Sequence, residues 1–541
     1  MPEAATESLP AGPGNKPGKR IAIFADGTGN SFFAQESNIW RLYRALDKTE
    51  KPGGLMQLAR YVPGVGTSGN AALRMIDGVT GIGVPSNVRK LYRFLCWNWA
   101  PGDEIYLFGF SRGAFTVRTL ASLVAMQGLM PREVDGRRVS GPEMSRNAMA
   151  AWLAYRVETA PLVAKGNSVF NPLNWQMNPL ISVIRGLRDG ITFLKRKALG
   201  QRLHGQVLGA LPGERQGGKV AIRFMGLFDT VEAYGMPVEE LRSVWNRLIW
   251  PIRFRNQRAS PVIASVRHAL SLDDERKSFH PIRFNTSPRP DGKPVPETQE
   301  VWFAGVHSDV GGGYPDDEPS YEPLLWIAGE AVRQELIFDD YELSRYRKRL
   351  YPQALVHDSR QGMASIYRYA PRWVLADADH GNQAVAHHSV VEKMTSGANG
   401  YVPLGLPEGF KVYPANGTGW AGLKPCPFTR DELRFGTLKR LMRRRVATNW
   451  LSILLIGVLI ALPLRDWWFG SRIEPVGLVR GLAQVLGGLL PGWTVTWVEA
   501  LCARWWVSLP VLGLLWAIYG FNQSLAYKIK DAAGKLWQPV V

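Results

Sequence analysis

The sequence predicts an α/β fold whose central sheet is mostly parallel and carries flanking helices. Short apolar strands that end in polar or glycine-rich turns alternate with helical segments, which is the order that produces parallel sheets. The chain has 541 residues, several times the length of a typical domain, so we expect an appendage to this domain. With 46% hydrophobic and 21% charged residues, the composition excludes a mostly disordered chain and a polytopic transporter.

The first strand is predicted over residues 21–25. It follows a tail at 1–19 that is rich in Pro and Gly and has no apolar run typical of a signal peptide, so we expect this tail to be flexible. The run IAIFA is apolar and ends in a DGTG turn, which indicates a buried strand that leads into a loop. A helix is then predicted over 37–46, and a second strand over 58–62 ends at a Pro-Gly pair.

The next elements continue this alternation. A helix is predicted over 86–99, because apolar residues recur there at helical spacing after a serine that could cap it. A PGD turn separates this helix from a strand over 104–108, and another helix is predicted to begin at about Arg112. In such a sheet, ligands bind beyond the carboxyl ends of the strands.

Residues 131–219 interrupt the pattern and are predicted to be an insertion or cap. One apolar stripe steps through it by three or four residues and consists of Leu180, Ile184, Leu187, Ile191 and Leu194. Basic residues surround this stripe, namely Arg185, Arg188, Lys195, Arg196, Lys197 and Arg202. The stripe fits either a helix packed on its own domain or a lid that faces anionic lipid.

Strands resume over 219–231 and 300–314, and both end in polar or glycine-rich loops. Helical segments follow to about residue 350, and the stretch to about 430 is rich in loops. We therefore expect one α/β domain over 20–430.

The motif GFSRG at 109–113 indicates a nucleophile elbow centred on Ser111. It follows an apolar strand and opens a helix, which is the setting in which a sharp turn exposes a serine hydroxyl. The flanking glycines allow the helix to pack close to the strand. This context predicts an α/β-hydrolase, whereas a tight turn with an idle serine is the simpler alternative.

A nucleophilic serine needs a base, and His307 is the best candidate among the eight histidines. It follows the apolar strand VWFAGV and precedes a glycine-rich loop. The alternatives are His268 and His280, between predicted elements, and the pair His387 and His388 in the loop-rich region, here expected to be surface or core-edge histidines.

Asp229 is the predicted acid that holds the imidazole in its tautomer. It ends the strand FMGLF and gives the chain order Ser, Asp, His that is typical of α/β-hydrolases. Asp309, Asp273 and Asp274 remain as alternatives or as structural carboxylates.

The loop after the first strand is predicted to contribute to an oxyanion hole. It lies at the appropriate end of the sheet, so backbone N–H groups near Gly27 and Thr28 could join that of Arg112 around a developing oxyanion. An Asx-type turn formed by Asp26 is the alternative.

The sequence resembles the catalytic domain of the type VI secretion lipase-effector family. The motifs that carry this resemblance are FADGTGN at 24–30, PGDEIYLFGFSRGAFTVR at 101–118, FMGLFDTV at 224–231, VWFAGVHSDVGGGY at 301–314 and HHSVVEKM at 387–394. The resemblance implies an α/β-hydrolase fold and phospholipase A-like ester hydrolysis, with Ser111 as nucleophile, Asp229 as acid and His307 as base. The chain differs from delivered effectors in its predicted C-terminal membrane segment.

That segment, residues 431–541, is predicted to form a helical membrane hairpin. Runs without charge cover 446–464 and 505–527, and their ends are rich in Trp and Tyr. Basic residues flank both runs on the outside, which predicts two spans with both flanks in the cytoplasm. The stretch 481–498 fits an interfacial or re-entrant segment better than a third span, and buried soluble helices are the alternative for both runs.

The charge of the chain favours a membrane surface as its partner. Lys+Arg 65 against Asp+Glu 46 leaves +19, and much of this excess borders the insertion and the first uncharged run. The basic clusters are not part of a nucleic-acid motif, so we expect no nucleic-acid partner. The three cysteines form no CxxC pair, which predicts neither a disulfide framework nor a zinc site, and indicates a reducing compartment.

These patterns predict a membrane-anchored serine hydrolase that cleaves lipid esters without a metal or another cofactor. A non-catalytic scaffold or binding module with the same fold is the main alternative. A metal-dependent phosphohydrolase that uses Asp26, His307 and Asp309 as ligands is a weaker one, because these residues lack a recognisable spacing.

Overall fold

A computed structural model provides the structure of the chain, which forms two compact units. One unit comprises residues 1–359 and 372–426, and the other comprises 360–371 and 427–541. The structure describes residues 18–27, 36–49, 55–64, 83–134, 136–159, 191, 194, 197–200, 220–232, 258–289, 292, 294–360, 367–374, 383–415, 419–469, 474–489, 495–534 and 536–540.

The strands of the described residues are β1 Arg20–Ala25, β2 Gln57–Val62, β3 Glu104–Phe110, β4 Glu133–Val134, β5 Arg137–Arg138, β6 Ile222–Phe228, β7 Ile263–Ser271, β8 Glu297–Phe303, β9 Val385–His387, β10 Lys411–Tyr413, β11 Lys424–Pro425, β12 Phe428–Arg430 and β13 Trp537–Pro539. The main α-helices are α1 Asn38–Ala45, α2 Gly83–Asn98, α3 Arg112–Gln127, α4 Gly141–Thr159, α5 His307–Gly311, α6 Tyr321–Arg333, α7 Asp340–Arg347, α8 His388–Ser396, α9 Glu432–Phe469, α10 Leu478–Leu489, α11 Val495–Ala503 and α12 Trp505–Ala533.

The first unit is built on a nine-stranded sheet. Its order is β11-β10-β9-β8-β7-β6-β3-β1-β2, and each neighbouring pair is parallel except the edge pair of β10 and β11. The predicted α/β class with a mostly parallel sheet is therefore confirmed. From β1 the chain crosses to β2 on one side and then to β3 on the other, so a crevice forms beyond the carboxyl ends of β1 and β3.

Helices cover both faces of this sheet because its central strands are apolar on both sides. Ile21, Ile23 and Leu107 face one core, where they pack with buried residues of α2, α3 and α4. Phe24 and Phe108 alternate with them and face the second core, which α1, α6 and α7 cover. The predicted elements from the first strand to α3 all exist with small shifts of their ends.

Strand β7 was not predicted, although it lies in the middle of the sheet. Its sequence IASVRHALS places charged and polar side chains inside the protein, and Arg267 and His268 are both buried. Arg267 pairs with Glu330 and with Glu297, so its burial depends on residues far along the chain. Short strands β9 to β11 and helix α8 lie in the stretch that was expected to be rich in loops.

The predicted insertion is described only in part. Helix α4 forms its beginning and packs its buried residues Met144, Ala148 and Trp152 into the first core. Most of the stripe predicted over 180–194 lies outside the described residues, and the two members that are described, Ile191 and Leu194, are exposed.

The second unit contains two long helices, α9 and α12. Thr448 of α9 donates a hydrogen bond to Asn522 of α12 at 2.5 Å, and Asp466 further along α9 pairs with Arg504 just before α12. The partners run in opposite directions along the chain, so the helices are antiparallel. Strands β12 and β13 pair next to the outer ends of these helices.

Both helices are long and apolar enough to cross a membrane, judged by length and composition alone. Large apolar side chains such as Leu454 and Trp516 are exposed along them. Helices α10 and α11 cover much of the predicted interfacial stretch 481–498.

Candidate active site

Ser111 stands on a sharp turn between β3 and α3. Its backbone has φ 56° and ψ −122°, a conformation that residues with a side chain rarely adopt. A Cβ on Gly109 would lie 2.5 Å from Cα of Ala114, and one on Gly113 would lie 2.0 Å from the carbonyl oxygen of Ala25. Only glycine fits at these two positions, so the motif permits the close approach of helix and strands that produces the turn.

The structure brings Ser111, His307 and Asp229 into one chain of hydrogen bonds. Nε2 of His307 lies 2.8 Å from Oγ of Ser111, and its Nδ1 lies 2.5 Å from Oδ2 of Asp229. All three residues are buried, with exposed fractions of 6%, 4% and 0% for Ser111, His307 and Asp229. The rings of Phe110 and Phe279 pack against the imidazole with centroid distances of 4.7 and 5.1 Å.

The protonation states suit general base chemistry. Burial alone disfavours the charge on Asp229, but Arg372 and the hydrogen bond from His307 outweigh it, and the pKa of the carboxyl falls well below its usual range. Burial lowers the pKa of His307, and Asp229 opposes that change. The carboxylate accepts the Nδ1 proton of the neutral ring, which leaves the Nε2 lone pair directed at the serine hydroxyl.

Arg372 is a second partner of the Asp229 carboxylate. Its Nη1 and Nη2 donate to the two carboxylate oxygens at 2.7 and 2.8 Å, and the side chain is buried. The same guanidinium also donates to the backbone oxygens of Ser271 and Phe279 and to Oγ of Ser271. The sequence analysis missed this residue, because no motif surrounds it and its acidic partner lies 143 positions away.

Asp229 itself occupies a strained turn, with φ 39°. The N–H of Ser271 donates to its Oδ1 at 3.1 Å. The next N–H, that of Thr230, donates to Nε2 of His268 at 3.1 Å, while Nδ1 of His268 contacts Glu300 at 3.0 Å. His268, an alternative base in the sequence, thus supports the turn that carries Asp229, and burial lowers its pKa.

The alternative acids bind backbone groups around His307. Asp274 accepts the backbone N–H of His307 at 3.2 Å and pairs with Arg276. Asp273 accepts the N–H of Gly305 at 2.7 Å.

Asp309 accepts the N–H of Val306 at 2.9 Å and contacts Nδ1 of His357 at 2.6 Å. These carboxylates therefore shape the loop from which the imidazole projects. The other alternative bases lie elsewhere along the chain, with His280 after a short 3₁₀ turn and the pair His387 and His388 at the junction of β9 and α8.

The predicted oxyanion loop lies beside the serine. A Cβ on Gly27 would be 3.3 Å from Cβ of Ser111, and α3 begins at Arg112 with its first N–H groups directed out of the helix. The N–H of Gly27 donates to Oδ1 of Asp26 at 2.6 Å, one residue along the chain and not the two that an Asx-type turn requires. Oδ2 of Asp26 accepts from Ser37 and Tyr61. Thr28 lies outside the described residues.

Comparisons with known proteins place the chain in a family. Residues 19–330 match the family described as "T6SS, Phospholipase effector Tle1-like, catalytic domain". The chain belongs to this family. The matched region includes Ser111, Asp229 and His307, whereas Arg372 and the second compact unit lie beyond it.

Individual relatives of this Tle1-like chain are distant. It is 26% identical over 285 residues to the uncharacterized protein YEL023C of Saccharomyces cerevisiae. The match covers 50% of this chain and 33% of the yeast protein. A crystal structure of an uncharacterized protein from Pseudomonas aeruginosa is 15% identical, with a TM-score of 0.35 and coverage of 89% of this chain and 64% of the other.

Replacing Arg372 with Met is expected to lower the free energy of unfolding by about 3–5 kcal/mol, because it leaves the Asp229 carboxylate buried without its cation. Chemical denaturation of the full chain in detergent measures this loss. Arg345→Met removes an exposed partner of Glu342 and is expected to cost about 0–1 kcal/mol. Equal losses for the two variants would contradict the role assigned to Arg372.

Proposed function

We propose that the chain is a serine hydrolase that cleaves carboxylic ester bonds of lipids, with phospholipids as its substrate class and an α/β-hydrolase fold as its scaffold. The observation that carries this proposal is the continuous hydrogen-bonded series from Ser111 through His307 to Asp229. Membership of a phospholipase effector family supports the lipid substrate. The position of the serine at the crevice between β1 and β3 supports the same reading, because ligands of parallel sheets bind there.

In the first half of the proposed reaction, Oγ of Ser111 attacks the carbonyl carbon of the ester. The hydroxyl proton passes to Nε2 of His307, and the carbonyl electrons move to the oxygen. The imidazolium that forms is stabilised by Asp229, which remains ionised because Arg372 compensates its charge. Collapse of the tetrahedral intermediate expels the alcohol portion of the lipid, which takes the proton from Nε2.

In the second half, a water molecule replaces the alcohol. His307 takes a proton from this water, whose oxygen attacks the acyl-enzyme carbonyl, and the fatty acid leaves as the proton returns to Oγ of Ser111. No metal or other cofactor is assigned to either half-reaction.

Both tetrahedral intermediates carry a negative oxygen that needs N–H donors. The N–H of Arg112 fits this role, because it opens helix α3 immediately after the nucleophile. Gly27 lies close enough to Ser111 to contribute, and its N–H would exchange the carboxylate of Asp26 for the oxyanion. Thr28 completes the proposed set.

We further propose that the second unit anchors the chain in a membrane. Helices α9 and α12 are antiparallel, apolar and exposed along much of their length, as a hairpin of two spans requires. Basic residues of α9 before the apolar run, namely Lys439, Arg440, Arg443, Arg444 and Arg445, favour an anionic cytoplasmic leaflet at that end.

Ser111→Ala is expected to abolish both labelling by a fluorophosphonate and release of fatty acid from phospholipid vesicles, because it removes the attacking oxygen. Ser344→Ala, on helix α7, is the matched control and is expected to retain both activities. Equal fatty-acid release from the wild type and Ser111→Ala would contradict the proposal and favour a non-catalytic binding module. Labelling by the reagent separates loss of the nucleophile from loss of substrate binding.

The rate of fluorophosphonate labelling is expected to fall as the pH is lowered, with a midpoint below pH 6.5. His307 accepts a proton only in its neutral form, and burial lowers its pKa below the usual 6.5. Labelling rates measured between pH 5 and 8 report this midpoint, since the reagent needs no lipid interface. A midpoint above pH 7 would show that the base is not the buried imidazole.

Two cysteines test the orientation of the hairpin. Cys426 precedes α9, whereas Cys502 lies at the opposite end of the hairpin, just before α12. In intact cells that express the chain, a membrane-impermeant thiol reagent is expected to label Cys502 but not Cys426, and the Cys502→Ser variant is expected to lose this label. Labelling of both cysteines, or release of the chain by alkaline carbonate, would contradict two spans with cytoplasmic flanks.

A further inference from the structure

Three side chains with metal-binding atoms converge beyond the carboxyl end of β9, outside the series that links Ser111 to Asp229. His387 ends β9, His388 begins α8, and Glu322 lies in the first turn of α6. One ligand atom from each residue lies within 4.8 Å of those from the other two. All three belong to the first compact unit.

The surroundings hold these side chains in place. The ring of His387 is buried and stacks on Phe303 and Tyr413, with centroid distances of 4.6 and 6.1 Å. Its Nδ1 lies 2.9 Å from Oγ of Ser389, so a ring that carries its proton on Nδ1 donates there and keeps the lone pair of Nε2 for a ligand. The ring of His388 lies beside it at 4.1 Å.

One ring nitrogen in this group lacks a protein partner. Nδ1 of His388 is buried, and among the described residues it has no hydrogen-bond partner. A buried polar atom without a partner is costly, and such atoms often mark the place where an ion or a water molecule binds. The lone pair of a neutral imidazole is also a strong ligand for transition metals.

A further acidic side chain lies beside the three. Oε1 of Glu392 lies 3.9 Å from Nε2 of His388, which adds a second carboxylate to the surroundings.

We propose that Glu322, His387 and His388 bind a divalent transition metal ion, with zinc as the ion that best fits these ligands. Two imidazoles with a carboxylate suit zinc, whereas magnesium and calcium prefer sites made of oxygen alone. An ion at the centre of a triangle with 4.8 Å sides lies about 2.8 Å from each corner. Bonds of about 2.0–2.2 Å therefore require each side chain to move inward by about 0.7 Å.

Such an ion would have a structural role. It would join the start of α6 to the junction of β9 and α8, and through the ring of His387 it would support Phe303 at the end of β8. His307 follows Phe303 by four residues, but it has its own partners in Ser111 and Asp229. The metal site is therefore independent of the proposed ester hydrolysis.

Titration of the EDTA-treated full chain in detergent with zinc chloride tests the site. The wild type is expected to bind one equivalent of zinc, with an increase in Tm, and to bind no magnesium. His388→Asn and Glu322→Gln remove ligands and leave His387 with its contact to Ser389, and each is expected to weaken binding at least about 10-fold. Glu408→Gln, at an exposed position, is the matched control and is expected to bind as the wild type does.

Substitution with cobalt gives a second measurement that does not depend on the stability of the variants. Cobalt bound to the wild type through imidazole nitrogen is expected to show visible absorption that differs from that of the hydrated ion. No stoichiometric zinc binding by the wild type, unchanged zinc affinity in both folded variants, or cobalt absorption identical to the hydrated ion would overturn the proposal.

Discussion

The buried ion pair between Asp229 and Arg372 is the interaction on which the rest of the site depends. A carboxylate with no exposed surface is costly unless a cation compensates it, and here the guanidinium contacts both of its oxygens. Because Arg372 also donates to the backbone oxygens of Ser271, at the end of β7, and of Phe279, it fixes the backbone around the carboxylate and compensates its charge. The orientation of His307 is then set by an acceptor that cannot rotate away.

Other carboxylates along the carboxyl edge of the sheet also fix the backbone around them. Asp273, Asp274 and Asp309 each accept a backbone N–H between residues 305 and 307, where the chain is irregular and has no ladder partner for these donors. Burial of Asp274 and Asp309 is unfavourable by itself, but together with the half-buried Asp273 they accept the N–H groups of the loop that presents the imidazole. The abundance of aspartate near His307 thus reflects the need of this loop for acceptors of its backbone N–H groups.

Local signals explain why the sequence predicted Ser111, Asp229 and His307 as neighbours. Each follows an apolar strand, and parallel strands place their carboxyl ends at one edge, so adjacency follows from topology. Strand β7 was not predicted because its buried polar residues bind partners that are distant in the sequence, such as Glu300 and Glu330. A pattern of neighbouring residues carries no information about such partners. Arg372 was not predicted for the same reason, because its charge is compensated by Asp229, which lies 143 positions away.

A related constraint on buried polar groups applies to the proposed hairpin, with lipid in place of a protein interior. Polar groups in hydrocarbon must find partners inside the protein, and α9 and α12 satisfy theirs with each other. Thr448 bonds Asn522 near one end, and Asp466 pairs with Arg504 near the other. Because the two contacts lie on a hairpin with fixed connectivity, a shift of either helix along the other would break both. Polar residues within these runs and just outside them therefore specify the register of the pair, while many Leu, Ile and Trp side chains of the two helices remain exposed.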